Sequence, residues 1–269
     1  MQPLDVHTLL KQYGLRPNKR LGQNFLVDEN HLEAIVRKAG VGPEDAVLEV
    51  GAGLGSLSRH LAAAAGRLVA VELDDKLLPP LRDSLAEFDN VEVVHADILA
   101  LDLSQHLAAS GFRVVANIPY YLTSKLIRHL LESEPRPGSL ALTVQREVAE
   151  RACAEPPAMS LLTLSVQLYG QPRIAHHIPA GAFYPVPKVD SALLLIDLFD
   201  APEIRQSDIE RFFMLAQAGF RQKRKTLANS LAALPDWDKA EAAARLKRAG
   251  IDPQRRPQTL TLEEWGRLL

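Results

Sequence analysis

The residues with the clearest chemical potential are Asn117-Ile118-Pro119-Tyr120, which follow the apolar run 112–116. An amine attached to an aromatic ring is a poor nucleophile, because its lone pair is delocalised into the ring. The Asn117 side-chain oxygen and a backbone carbonyl near Ile118 or Pro119 are suited to accept the two amine protons. Accepting both draws the nitrogen towards tetrahedral geometry and aims its lone pair at an electrophile. Pro119 stiffens the turn, and Tyr120 offers a ring on which a purine can stack. No strong base is required, since the alkylated amine becomes acidic and loses its proton afterwards. Rate acceleration then rests on proximity and alignment.

The electrophile's site is suggested by Val47-Leu48-Glu49-Val50-Gly51-Ala52-Gly53-Leu54-Gly55. Glycines at the end of a strand let the backbone approach a ligand and open a helix N-terminus towards it. The dinucleotide fingerprint is G-x-G-x-x-G. Here the spacing is G-x-G-x-G, and Glu49 precedes it, where its charge would repel a pyrophosphate. An acid at that point suits a cationic ligand, such as one carrying a sulfonium and an α-amino group. Glu72, ending the next strand, is placed to accept both hydroxyls of a ribose. Asp97, in His95-Ala96-Asp97-Ile98, is suited to bond an adenine amino group. Phe183 lies in Ala182-Phe183-Tyr184-Pro185-Val186-Pro187, stiffened by two prolines. Two readings stay open there: an exposed ring held to sandwich an extruded base, or a buried phenylalanine in a rigid connection.

These residues need a scaffold, and residues 30–200 alternate helix and strand patterns. Asp28 caps a helix ending at Gly40. Strands are expected at 46–50, 67–71, 91–94, 112–116 and 140–144. A helix over 73–88 must be interrupted or kinked by Pro79-Pro80. Strands alternating with helices predict a parallel sheet with right-handed crossovers. Two further β-rich stretches are read at 161–169 and 191–199. After Asp200 the strand signal stops, and helices are expected over 207–220, 225–233, 237–250 and 262–269. The domain boundary is therefore placed near 200, giving an α/β domain over 1–200 and a helical domain over 201–269.

Composition sets the outer limits. Of 269 residues, 47% are hydrophobic and 24% charged, which is ordinary for a packed globular chain. The single cysteine, Cys153, rules out an intrachain disulfide and favours a reducing compartment. No secretory leader pattern and no apolar run of roughly 18 residues is present, so a cytoplasmic protein free of the membrane is expected. The net charge of −2 argues weakly against nucleic acid, but cations cluster at Arg16, Lys19 and Arg20, at Arg221, Lys223, Arg224 and Lys225, at Arg245, Lys247 and Arg248, and at Arg255 and Arg256. His176-His177 would point to opposite faces of a strand, and no Cys or carboxylate cluster joins them, so no metal is expected.

Taken together these motifs closely resemble one family, the ribosomal RNA adenine N6-dimethylases, in their bacterial small-subunit form. The resemblance begins at Lys19-Arg20-Leu21-Gly22-Gln23-Asn24-Phe25-Leu26 and continues through the glycine loop, Glu72, Asp97 and Asn117 to Tyr120. It extends through 183–192 and through Phe220-Arg221-Gln222-Lys223-Arg224-Lys225-Thr226-Leu227, covering nearly the whole chain. The fold implied is a Rossmann-like class I methyltransferase domain with a small all-helical C-terminal domain. The cofactor implied is S-adenosylmethionine, contacted by Asn24, Leu26, Glu49, Gly51, Gly53, Glu72, Asp97 and Asn117, with residues 1–27 closing over it. Asn117, Pro119, Tyr120 and Phe183 form the implied catalytic set, and Arg221, Lys223, Arg224 and Lys225 the RNA contact. The implied reaction dimethylates two adjacent adenosines in the 3′-terminal hairpin loop of small-subunit rRNA in the 30S particle. A monomer and a role in late 30S assembly go with it. One departure is that Tyr121-Leu122-Thr123-Ser124 follows the motif where the family often has Asn-Ile-Ser-Thr. Tyr121 is then either an extra aromatic surface or a packing residue. Rival readings are the macrolide-resistance type acting on large-subunit rRNA, a non-catalytic assembly or transcription factor on the same fold, and a nicotinamide-dependent dehydrogenase.

Overall fold

Short apolar runs become central strands here because helices cover both faces of the sheet they form. The computed structural model describes residues 2–107, 109–119, 122–222, 224–235 and 237–269, apart from the side chains of Lys19 and Ser124. Tyr120, Tyr121 and Lys223 therefore lie outside the described residues. The chain divides into two compact units, 1–149 with 173–198, and 150–172 with 199–269. One break falls between 198 and 199, near the expected boundary, and 150–172, placed by sequence in the α/β domain, groups with 199–269.

The first unit contains strands β1 (Phe25–Leu26), β2 (Ala46–Val50), β3 (Arg67–Glu72), β4 (Val91–His95), β5 (Arg113–Asn117) and β6 (Ser139–Gln145). They are followed by β7 (Gly170–Ile178), β8 (Phe183–Tyr184) and β9 (Ser191–Leu198). Seven of them form one sheet in the order β4-β3-β2-β5-β6-β9-β7. Strands β2 to β6 are mutually parallel, as expected, and β9, in the further β-rich stretch 191–199, adds to the sheet antiparallel to β6. β2 pairs with β3 on one side and β5 on the other, and the connections leave in opposite directions. Such a switch point opens a crevice at the carboxyl ends of the strands, where open α/β sheets bind ligands. Val47 and Leu48 of β2 and Val114 and Val115 of β5 are fully buried, which is why these strands read as continuous apolar runs.

Local signals account for several helix ends. Asp28 accepts the amides of Asn30 and His31 at the start of helix Glu29–Ala39, and Gly40 ends it at a φ of 65°. Pro79 and Pro80 do not kink a long helix. They occupy the first turn of a short one, Leu78–Ser84, where a missing amide costs nothing.

The helical unit contains Ile209–Phe220, Leu227–Leu231, Lys239–Arg248 and Leu262–Gly266, close to the expected spans. It also contains Leu161–Gln167, a helix where a strand was expected. The cause is the capping box formed by Ser160 and Thr163, combined with burial of Leu162, Leu164 and Val166. A run with no exposed face carries no period by which helix and strand can be told apart. Trp265 is the centrepiece, completely buried and stacked on Phe220 at 5.8 Å between ring centroids. Its ring lies so close to Gly219 that a Cβ there would sit 2.4 Å from Cη2. Gly219→Ala is accordingly expected to destabilise the protein by about 1–3 kcal/mol through overpacking, read as a lower denaturation midpoint. An unchanged midpoint would mean that the indole shifts freely.

Candidate active site

The three glycines after β2 all adopt left-handed backbone, with φ of 77° at Gly51, 62° at Gly53 and 90° at Gly55. This is the physical reason for the G-x-G-x-G spacing, since side chains are rarely tolerated there. Gly55 is doubly constrained, because a Cβ would meet Ser84 Oγ at 2.2 Å. The loop turns across the end of β3, where the amides of Gly51 and Ala52 donate to Val71 O at 2.8 and 3.2 Å.

A cavity opens here at the carboxyl ends of the strands. Every residue expected to hold the cofactor lines it: Asn24, Leu26, Glu49, Gly51, Gly53, Glu72, Asp97 and Asn117. Pro119 lines it too. Gln23 and Ile118 also face the cavity, as do Leu73 and Ile98, which sequence reasoning did not single out. Leu73 and Ile98 each adjoin a recognised acid, Glu72 or Asp97, and that adjacency was the available signal.

Glu72 is nearly buried and already engaged. Its Oε2 accepts Gly53 N–H at 2.7 Å, and its Oε1 accepts Leu73 N–H at 2.9 Å and Asp74 N–H at 2.8 Å. Three of a carboxylate's roughly four lone-pair sites are thus taken. The remaining capacity faces the cavity. Burial raises the Glu72 carboxyl above the usual range, against the pull of those three amides. Asp97 is exposed, and its Oδ1 accepts Leu99 N–H at 3.0 Å, which shapes the turn after β4.

Glu49 is buried, 1% exposed, and among the described residues its Oε2 has no hydrogen-bond partner. Burial, reinforced by the charge of Glu72 and partly offset by the neighbouring Ser58 hydroxyl, pushes its carboxyl up to about 8.

At the end of β5 the Asn117 amide donates from Nδ2 to Asn24 O at 3.0 Å. A carbonyl only accepts, so this bond commits the NH2 group and leaves Oδ1 as the free acceptor. The turn continues with Leu122 N–H donating to Pro119 O at 2.9 Å. Gly51 faces this turn closely: a Cβ on it would lie 3.8 Å from Pro119 Cδ. The glycine loop and the Asn117 turn therefore form two walls of one cavity.

The segment 19–27 provides a third wall. β1 pairs antiparallel with β8, matching Phe25 with Tyr184 and Leu26 with Phe183, and Val27 N–H donates to Ala182 O at 2.9 Å. Gln23 accepts Asn18 N–H at 2.8 Å and donates to Asp74 Oδ2 at 2.7 Å, tying the segment to the Glu72 turn. Of the two readings open for Phe183, the structure has the buried one. Phe183 is 2% exposed, does not line the cavity and packs in the same buried cluster as Leu26, Ile35 and Leu61. The ring that the two prolines hold still is an anchor for β1. The expected stacking partner Tyr120 and its neighbour Tyr121 lie outside the described residues.

In the helical unit, Arg221, Arg224 and Lys225 are exposed in the turn between Ile209–Phe220 and Leu227–Leu231; Lys223 lies outside the described residues. Other cations are committed internally. Arg255 makes a two-pronged contact with Glu264, with Nη2 to Oε2 at 3.0 Å. Arg245 bonds Glu241 at 2.6 Å and covers the Trp237 ring at 4.6 Å. His176 Nε2 lies 2.8 Å from His31 Nδ1, a hydrogen-bonded pair joining β7 to helix Glu29–Ala39. Among the described residues no helix is long and apolar enough to cross a membrane.

Comparison with known proteins gives the family. The chain is 42% identical over 261 residues to ribosomal RNA small subunit methyltransferase A of Dehalococcoides mccartyi, covering 97% of this chain and 90% of that protein. The 23S rRNA methyltransferase ErmE superposes with a TM-score of 0.72 at 28% identity, covering 91% of this chain and 97% of its own. A dimethyladenosine transferase from Plasmodium falciparum shares the fold, with a TM-score of 0.77 at 22% identity over 90% of this chain and 94% of its own. A profile of the ribosomal RNA adenine dimethylases matches residues 14–268. With nearly the whole chain so matched, this protein belongs to the ribosomal RNA adenine dimethylase family.

Proposed function

We propose that this enzyme transfers methyl groups from S-adenosylmethionine to N6 of two adjacent adenosines in the 3′-terminal hairpin loop of 16S rRNA, yielding N6,N6-dimethyladenosines. The observation that carries the reading is the free Asn117 Oδ1 on a turn that walls the same cavity as the glycine loop and three carboxyls. Small-subunit rRNA is preferred because the relative at 42% identity is a small-subunit methyltransferase, against 28% for the large-subunit enzyme. We further assign the protein to the cytoplasm, acting as a monomer on a 30S particle and serving as a late 30S assembly factor.

The residues present fit the donor. Its bound form supplies an electrophilic methyl group on a sulfonium, and the buried Glu49 carboxyl, with no cation beside it among the described residues, offers the counter-charge such a ligand needs. Glu72 takes one ribose hydroxyl, Asp97 bonds the adenine amino group, and Leu73 and Ile98 flank the base with apolar surface. Gly51 and Gly53 keep the loop free of side chains, while Asn24 and Leu26 cover the cavity.

Asn117 Oδ1 and a backbone carbonyl of the 118–119 turn accept the two protons of the target amine and aim its lone pair. Pro119 fixes the turn, and Tyr120 supplies the stacking surface for the base. The surplus proton leaves the methylated amine for bulk water, so no basic side chain is required. Catalysis is then alignment together with hydrogen bonds that strengthen as the nitrogen becomes tetrahedral.

The exposed Arg221, Arg224 and Lys225, with Lys223, form the RNA contact of the helical unit. Replacing Arg224 and Lys225 by Ala is expected to weaken 30S binding about tenfold at physiological salt and to flatten its salt dependence. Donor affinity should stay unchanged; a parallel fall in both would instead point to misfolding. The overall reading is tested by incubating the protein with labelled donor and unmethylated 30S particles, then mapping the label. Label confined to large-subunit RNA would reject the substrate, and tight 30S binding without any label would favour a non-catalytic factor.

A further inference from the structure

The cavity is unusual in the sign of its charge. Its ionisable lining consists of Glu49, Glu72 and Asp97, with no Lys, Arg or His among the described lining residues. The two basic side chains of helix Ser56–Ala64, which follows the glycine loop, are both engaged elsewhere. Arg59 Nη1 donates to Gln2 O at 3.0 Å, and His60 Nε2 bonds Glu29 Oε2 at 2.8 Å. The groups that act on Glu49 are thus Glu72 from β3, of like charge, and the neutral Ser58 hydroxyl. A buried carboxylate with no partner is costly, and a carboxyl in that position keeps its proton until an opposite charge arrives.

The proposed donor carries positive charge on both its sulfur and its α-ammonium, whereas the demethylated product keeps only the ammonium, so the charge on sulfur is the one that differs between them. We propose that Glu49 is the residue that distinguishes methyl donor from spent product: it releases its proton to solvent when the sulfonium enters, and takes one back from solvent once the sulfur is a neutral thioether. The protonated carboxyl and the cationic donor become a carboxylate–sulfonium pair plus one solvent proton. After transfer the target amine loses its surplus proton to water, and Glu49 recovers one from water. No other reactant is needed. Product release is favoured because the counter-charge that held the ligand is withdrawn along with the methyl group. This inference rests on the donor reading given above.

The test is calorimetric titration of the full-length protein with S-adenosylmethionine and with S-adenosylhomocysteine, at pH 6.5, in buffers of different ionisation enthalpy. At that pH the donor's own ammonium remains largely protonated, its usual value being about 7.7–8.0. With the Glu49 carboxyl near about 8, close to one proton should leave per donor bound. Fewer than half as many should leave per product bound. Donor affinity should rise by up to tenfold per pH unit between 5.5 and 7. Glu49→Gln should abolish the proton release and lower donor affinity more than tenfold while shifting product affinity less than threefold. Donor binding without proton release, or equal release with donor and product, would overturn the inference and leave the donor assignment standing. A donor that fails to bind at all would overturn both. Should the Gln variant not fold, the wild-type proton counts for the two ligands decide the matter alone.

Discussion

Asn117→Ala is expected to lower methyl transfer to unmethylated 30S particles on the order of 10²–10³-fold at saturating donor. Donor affinity should stay within a few-fold of wild type. The asymmetry follows from the two ends of the amide. Nδ2 holds Asn24 O at 3.0 Å, which is a contact of the covering segment, and Oδ1 is the acceptor available to an amine proton. Removing the amide therefore loosens the cover slightly but removes the alignment completely. Asn117→Asp should fare little better. It restores an accepting oxygen but sets a carboxylate against the Asn24 carbonyl, where two acceptors repel. Single-turnover rates separate these effects from product release, and near-normal turnover of the Ala variant would remove Asn117 from the mechanism.

Glu72→Ala should be damaging in a different way. Three backbone amides, those of Gly53, Leu73 and Asp74, lose their acceptor together. Leaving them without a partner costs roughly 2–4 kcal/mol of stability, even with water entering the space. The Gly53 amide ties the glycine loop to the end of β3, and Gln23 reaches Asp74 in the same turn. Loop, turn and cover should therefore loosen as one, and donor affinity should fall on the order of 10²-fold, counting the lost ribose contact. The outcome differs from Asn117→Ala in its signature: a higher donor Kd and a lower denaturation midpoint, rather than a lower kcat alone. A Glu72→Ala protein with wild-type donor affinity would show that Glu72 shapes the turn without touching the ligand.

Much of the site was legible because local physics demands particular residues. Gly51, Gly53 and Gly55 stand in left-handed backbone, so their spacing in the sequence is a direct image of the loop. The strands bearing Glu49, Glu72 and Asn117 read as short apolar runs because both faces of a central parallel strand are covered. Asp28 and Gly40 marked both ends of their helix for equally local reasons. Where the cause was not local, the reading failed. Residues 161–167 are buried or half-buried throughout, and without an exposed face no period distinguishes helix from strand. Residues 150–172 leave the α/β unit and join the helical one, an interleaving that no composition shift announces.

The opening feature, the Asn117 turn with its partner loop, divides along the same line. The sequence by itself determined the residue types, the backbone shape of the glycine loop and the family, because these depend on neighbours along the chain. Only the tertiary structure decided which way each side chain is spent. The two-residue ladder between β1 and β8 turns Phe183 into the core and makes it an anchor. The Asn24 carbonyl orients the Asn117 amide from across the cavity. Three amides use up most of Glu72, and burial beside Glu72 holds the proton on Glu49. Each of these depends on groups distant in sequence and adjacent in space, and burial, the property that sets their chemistry, exists only once the chain has folded.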